Sequence, residues 1–442
     1  MSAYDVIVVG AGPAGMTAAA AAAEAGGRVC LLDDNLSAGG QIWRGANRGA
    51  LASQSHSKEF LQCVIRIRDS KAEIRCASRV VSQPGPATLR VEQENSWQEN
   101  SWRESSCVDL RYQRLILATG AREVFLPFPG WTLPGVMGAG GLQALVKAEL
   151  PIAGKRVVLS GSGPLLLAVA AELTRRGARI EGVFEQAPLA SLFRLSAALI
   201  MHPARLIEGL RYRVSTHQSS YNTGSWVTEA HGSDRLVAVT VSIGGKLREI
   251  PCDFLGCGFH LAPNLELPRL LGCRVESGAV SVDAEMQTSV LGVSCAGELT
   301  GVGGLEKAMI EGEIAGRSAV GKSSAHFHHR RERLARFGRA LDTAFRVRDE
   351  IATLARGETV ICRCEDVTRA ALAEARTWRE AKLHTRCGMG PCQGRVCGPA
   401  TAMLFGWQQG GVRPPLMPAS LATLAAPCEN GEQSDSLENV RN

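Results

Sequence analysis

The sequence predicts an α/β protein: two strand–glycine turn–helix units followed by a small, mainly helical module rich in cysteine. Three observations carry this. An apolar run, Val6-Ile7-Val8-Val9, leads directly into a glycine cluster. A partial echo of that pattern begins at Gly161, 151 residues after Gly10. Five of the fourteen cysteines fall between residues 362 and 397. At roughly 150 residues per domain, 442 residues suit about two to three domains. With 45% hydrophobic and 21% charged residues, the composition is that of a globular chain. The net charge of +6 is too weak over this length to argue for nucleic acid. No run of 18 apolar residues is present, so no membrane span is expected. The first residues lack a basic n-region and do not read as a targeting signal. A cytoplasmic, reducing compartment is therefore expected, and a disulfide framework is not.

The first unit is read residue by residue. Val6 to Val9 suits a buried parallel strand. Gly10-Ala11-Gly12-Pro13-Ala14-Gly15 opens an Ala-rich helix, Met16 to Ala25, and Arg28 to Leu32 reads as the second strand. That strand delivers Asp33, eighteen residues after Gly15. Strand, glycine turn, helix and acid together make a dinucleotide-binding fingerprint, where the glycine motif alone would be weak. Gly10 permits the tight turn, Gly12 lets a diphosphate approach the backbone, and Gly15 lets helix and strand pack closely. The helix N-terminus, opened by Pro13 and Ala14, leaves the N–H groups after Pro13 free for the diphosphate, and Asp33 would accept from ribose hydroxyls.

The second unit is altered in two places. Arg156 to Ser160 is the strand, Gly161-Ser162-Gly163-Pro164-Leu165-Leu166 the turn, Leu167 to Arg176 the helix, and Ile180 to Phe184 leads to Glu185. Leu166 stands where the third glycine belongs, which is expected to displace the helix or crowd the diphosphate path. The acid arrives one residue late, which in a regular strand would turn it to the other face. The unit is expected to keep a Rossmann-like fold and to bind NAD(P) poorly. Another adenine nucleotide such as ATP, or nothing, would replace it.

Three further segments bear on the first nucleotide. Leu115 to Ala118 ends in Thr119-Gly120-Ala121; Gly292-Val293-Ser294-Cys295-Ala296-Gly297-Glu298 has the same strand-then-glycine form; and Gly39-Gly40-Gln41 follows the second strand. With these, residues 4 to 320 resemble the two-dinucleotide-binding flavoproteins, whose familiar members are glutathione and thioredoxin reductases. The resemblance implies FAD in the first unit, its isoalloxazine near Gly40 and Gln41. Thr119 and Gly120 would join the site, and the ribityl-diphosphate would meet Gly297 and Glu298, the latter where the family usually has Asp. The chain has no Cys-x-x-Cys, so a dithiol mechanism is excluded.

In the C-terminal third, Gly321 to Gly357 reads as a connection containing a helix. Its His326-Phe327-His328-His329-Arg330-Arg331 run suits a solvated face or subunit contact better than a metal or phosphate site. Beyond lie Cys362-Arg363-Cys364-Glu365 and Cys387-Gly388-Met389-Gly390-Pro391-Cys392-Gln393-Gly394-Arg395-Val396-Cys397. Four thiolates are the usual ligands of a [2Fe–2S] cluster, and structural zinc is the other fit. A cluster beside a flavin makes sense as an electron relay. The segment resembles the bacterioferritin-associated ferredoxin-like [2Fe–2S] domain, in the branch formed by the large flavoprotein subunit of opine oxidases, D-hydroxyproline dehydrogenases and hydrogen cyanide synthase. That resemblance implies Cys362, Cys364, Cys392 and Cys397 as ligands. Cys387 is then surplus, with Cys387-x4-Cys392 an alternative second pair.

The expected organisation is an FAD domain (1–150 and 266–322), an NAD(P)-type Rossmann-like domain (151–265), a helical linker (323–357), a [2Fe–2S] domain (358–412) and a tail (413–442), disordered from Cys428. The resemblance implies an electron-transferring flavoprotein subunit of a heteromeric amine or imino-acid dehydrogenase. Its partners would be a smaller flavin-containing catalytic subunit and, in some assemblies, a small third one. Two alternatives are a self-sufficient NAD(P)H-dependent flavin reductase and a non-enzymatic iron–sulfur carrier. No base–nucleophile motif is present, so no catalytic residue is assigned.

Overall fold

The structure, a computed structural model, describes residues 3–44, 57–94, 105–200, 203–215 and 219–427. The chain folds as two compact units, each built from separated stretches. The first takes residues up to 120, residues 263–332 and the segment from Gly411; the second takes 121–262 and 333–410.

The first unit contains β1 (Ala3–Val9), α1 (Pro13–Glu24), β2 (Val29–Leu32), α2 (Ser57–Ser70), β3 (Glu73–Arg75), β4 (Ser78–Gly85), β5 (Thr88–Glu94) and β6 (Ser105–Leu117). Its sheet runs β3-β2-β1-β6-β5-β4, and the strand Val293–Cys295 pairs with β6. β1 lies parallel to both β2 and β6. That central position explains why Val6, Ile7 and Val8 are fully buried on both faces. Eleven of the twelve residues of α1 are buried. The alanines serve more than helix propensity, because α1 is held between the sheet and the helix Gly304–Ala319 at backbone contact. A Cβ on Gly312 would lie 2.2 Å from the Ala14 carbonyl oxygen, and one on Gly316 2.3 Å from that of Ala18.

The second unit has a parallel sheet in the order Tyr221–Thr223, Arg179–Glu185, Arg156–Gly161, Phe254–Gly258, Val136–Gly138. The expected boundary at 150/151 thus falls elsewhere. Residues 121–150 join the second unit, because the three-residue strand Val136–Gly138 extends its sheet and the helix Ala139–Lys147 follows. So short a strand, after Pro134-Gly135, has no sequence signal of its own.

Both expected defects of the second glycine turn are corrected by the fold. Strand pairing with Arg156–Gly161 shifts register between Ile180 and Gly182, a bulge at Glu181. The extra residue restores the face, and Glu185 pairs opposite Gly161. Leu166 packs into the core, fully buried in one cluster with Leu142, Leu159 and Val169. The helix begins at Leu165 with Pro164 as N-cap, which gives the leucine room.

The cysteine-rich module packs on this same unit rather than hanging free. Trp131 Nε1 donates to the Val360 carbonyl at 2.6 Å, and the Arg363 guanidinium lies 5.9 Å from the Trp131 ring centre. The chain beyond Arg413, expected as a tail, returns to the first unit as far as Pro427. Leu416 N donates to the Val81 carbonyl, and Arg90, paired with Asp109 at 2.9 Å, donates to the carbonyls of Ala426 and Pro427. The disorder expected from Cys428 onward lies outside the described residues.

Candidate functional site

At the head of α1 the chain builds a glycine-rich cradle. Gly10 has φ +104°, and a Cβ there would lie 2.3 Å from the Ala118 carbonyl oxygen. A Cβ on Gly15 would lie 1.7 Å from the Gly10 carbonyl oxygen, so α1 meets β1 at backbone distance. Gly12 is the N-cap, and no side chain caps the helix. The first-turn N–H groups are therefore left for a ligand. Gly39 N donates to the Ala11 carbonyl, which folds the Gly39–Gly40 turn against this loop; Gly40 sits there with φ +57°. Asp33, 6% exposed, accepts from Ala11 N at 2.5 Å through one oxygen and from Asn35 through the other. Asn35 fills both acceptor positions of Oδ1 through its N and Nδ2, whereas Oδ2 keeps one for a ribose hydroxyl. Pro13 and Ala14 are buried, while Gln41 is exposed.

Thr119 and Gly120 are tied to Asn264, whose Nδ2 donates to the Thr119 carbonyl at 2.6 Å and whose N donates to Gly120. Gly297 turns with φ +79°. Glu298 accepts from Gly303 N at 3.1 Å and Gly304 N at 3.0 Å, so its carboxylate caps the helix Gly304–Ala319. Burial pushes its pKa up, opposed by Lys307 and those two amides. The donor set fits a dinucleotide: a glycine-paved diphosphate loop at an uncapped helix start and a ribose-accepting carboxylate.

A buried ionic network behind this loop escaped the sequence reading. Lys307, 4% exposed, donates to the carbonyls of Gly297 (3.3 Å) and Gly301 (2.9 Å), to Thr300 Oγ1 (2.7 Å) and to Glu311 Oε2 (3.0 Å). Glu311 accepts from Gly297 N at 3.0 Å and from Arg331 Nε at 3.2 Å. Its only sequence signal was a Lys–Glu pair at i, i+4, which is commoner on exposed helix faces. Removing one member of a buried pair strands the other. Lys307→Met is expected to cost about 3–5 kcal/mol, seen as a lowered urea midpoint. The same run of His and Arg is otherwise spent on ion pairs: His328 meets Glu285 at 3.0 Å, and Arg330 meets Glu306 at 2.5 Å.

In the second unit Glu185 is fully buried and accepts from Gly163 N (2.7 Å) and Ala187 N (2.8 Å). Burial pushes its pKa up to about 7, against those donors and Ser162. A carboxyl raised in the fold stabilises the fold fully below the unfolded value and loses that contribution as pH rises through the folded one. The second unit is therefore expected to lose about 3 kcal/mol of stability between roughly pH 4.5 and 7. Urea unfolding across that range measures it, and Glu185→Gln should flatten the slope.

Among the described residues, one cluster of metal-ligating side chains stands out. The sulfurs of Cys362, Cys387 and Cys397 lie within 4.8 Å of one another, all buried. Gly388 N donates to Cys362 Sγ at 3.5 Å. The two neighbouring thiols hold Cys362 far below the ordinary thiol value and push Cys397 far above it. Cys364, exposed, is raised by burial and by the thiol of Cys392 beside it. Of the four expected ligands, the fold thus brings Cys362 and Cys397 together and sets Cys364 with Cys392. Cys387, expected as surplus, lies inside the group. The wrapping loop needs its glycines: a Cβ on Gly388 would lie 2.5 Å from the Trp378 ring, and one on Gly390 2.4 Å from Cys364 Cβ. An all-thiol donor set with a backbone N–H on one sulfur suits an iron–sulfur cluster.

Comparison with known proteins agrees with this geometry. Residues 4–315 match the pyridine nucleotide-disulphide oxidoreductase family. An opine oxidase subunit of Rhizobium meliloti (strain 1021) is 34% identical over 96% of this chain and 99% of its own. Hydrogen cyanide synthase subunit HcnB of Pseudomonas protegens is 32% identical over 88% and 89%. The L-proline dehydrogenase from P. horikoshii shares the fold with a TM-score of 0.69, at 17% identity, over 96% of this chain and 80% of that one. The chain is a flavin oxidoreductase of the pyridine nucleotide-disulphide oxidoreductase family, related along nearly its whole length to subunits of opine oxidase and hydrogen cyanide synthase.

Proposed function

We propose that this chain is the electron-transferring subunit of a heteromeric dehydrogenase acting on the C–N unit of an amine or imino acid. The observation that carries the reading is the near full-length likeness to two proteins named as enzyme subunits. When bound, FAD exchanges two electrons and a [2Fe–2S] cluster one at a time, which suits a relay between a partner's flavin and this one. The chain's residues hold and tune. Gly10, Gly12, Pro13, Ala14 and Gly15 would receive the diphosphate and Asp33 the ribose. Gly40, Gln41, Thr119, Gly120, Gly297 and Glu298 would line the remainder, with Lys307 and Glu311 fixing the Gly297 turn. Cys362, Cys364, Cys392 and Cys397 would hold the cluster. The substrate pocket belongs to a smaller, flavin-containing partner. The test is stopped-flow reduction of this chain's FAD. Reduction by an amine or imino-acid substrate only when the partner chain is present supports the proposal. Rapid reduction by NADH or NADPH without a partner overturns it.

A further inference from the structure

The second glycine turn is covered by the chain itself. Ser162 Oγ donates to the Phe345 carbonyl at 2.9 Å. Gln186, fully buried, donates from Nε2 to the carbonyls of Phe345 (3.3 Å) and Arg346 (3.1 Å), and its Oε1 accepts from Arg348 N at 3.1 Å. The Phe345 ring stands over Gly163, 3.8 Å from where a Cβ would be. Val347 and Ile351 then sink into the core with Phe184 and Val227, and the Arg348 guanidinium lies 5.0 Å from the Trp226 ring centre. All these residues belong to one unit.

The contrast with the first turn is direct. Among the described residues, only Gly40 Cα, at 4.0 Å, comes within 4 Å of where a Cβ on Gly12 would be. At the second turn, the glycine a diphosphate must approach carries an aromatic ring. The residues after the second strand, where a ribose is normally held, are engaged by the chain's own backbone. Glu185 spends its carboxylate on Gly163 N and Ala187 N.

We propose that the second Rossmann site is a socket for the segment Phe345–Arg348, which anchors the cysteine-bearing module to the second unit, and that it excludes dinucleotides and ATP. The segment satisfies the socket's polar groups: the Phe345 and Arg346 carbonyls accept from Ser162 and Gln186, and the Arg348 N–H donates to the Gln186 amide oxygen. Nucleotide can bind only the fraction of molecules in which the segment has lifted, so its apparent affinity falls by that fraction. This inference goes beyond the proposed function and does not depend on it.

Hydrogen exchange and calorimetry on the full chain test it. The Arg348 amide should exchange slowly in the native protein. NADH, NADPH and ATP should give no binding heat up to about 1 mM. Gln186→Leu should speed exchange across 345–348 while FAD content stays unchanged. A micromolar dissociation constant for any of the three nucleotides in the native chain overturns the proposal. So does fast exchange at Arg348 in the native chain, or exchange across 345–348 that Gln186→Leu leaves unaltered.

Discussion

Gly12→Val should yield a folded, flavin-free protein. The backbone there has φ −76° and ψ −174°, extended geometry that a β-branched residue adopts readily. The first carbon of the new side chain also has room, since the nearest atom is 4.0 Å away. What the valine occupies is the space in which the diphosphate must approach the uncapped start of α1. FAD occupancy is expected to fall by about tenfold or more, at least 1.4 kcal/mol of binding free energy. Unfolding of the apo-protein should stay cooperative. Fluorescence of the flavin released by denaturation, against protein concentration, reads the first, and circular dichroism the second. Gly15→Ala makes the control, because its Cβ would lie 1.7 Å from the Gly10 carbonyl oxygen and disrupt the turn itself. Stoichiometric FAD in Gly12→Val would remove the proposed cofactor site.

Serine substitution along the cysteine segment is expected to divide five positions into four and one. Cys362→Ser, Cys364→Ser, Cys392→Ser and Cys397→Ser should each lose most iron and the EPR signal of the reduced protein, since a hydroxyl is a poor substitute for a thiolate on iron. Cys387→Ser should keep both. The proximity of Cys387 to Cys362 and Cys397 makes this the sharper half of the experiment, because five sulfurs compete for four places. If Cys387→Ser loses the signal and Cys397→Ser keeps it, the second pair is Cys387 and Cys392. Zinc instead of iron in anaerobically purified protein would remove the relay itself.

What the sequence by itself determined was whatever neighbours in the chain can settle. A glycine turn between an apolar strand and an alanine helix, with an acid after the next strand, is a local pattern. Its parts must be close in sequence to be close in space. Cysteine spacing likewise announced a thiol cluster, and Leu115 to Ala118 and Val293 to Cys295 announced themselves as strands by composition. The tertiary structure decided everything that depends on a partner far along the chain. Glu185 looked misplaced until a bulge at Glu181, visible only in the pairing with Arg156–Gly161, returned it to the face opposite Gly161. Gln186 gave no sign that it would bind Arg348, 162 residues away. Nothing local to Lys307 and Glu311 announced that they would be buried against the Gly297 turn. Arg90 and Asp109 turned an expected tail into a packed segment. In each case the deciding contact is a hydrogen bond or ion pair whose desolvation cost is met only when the distant partner arrives, so neither residue's neighbourhood in the sequence records it.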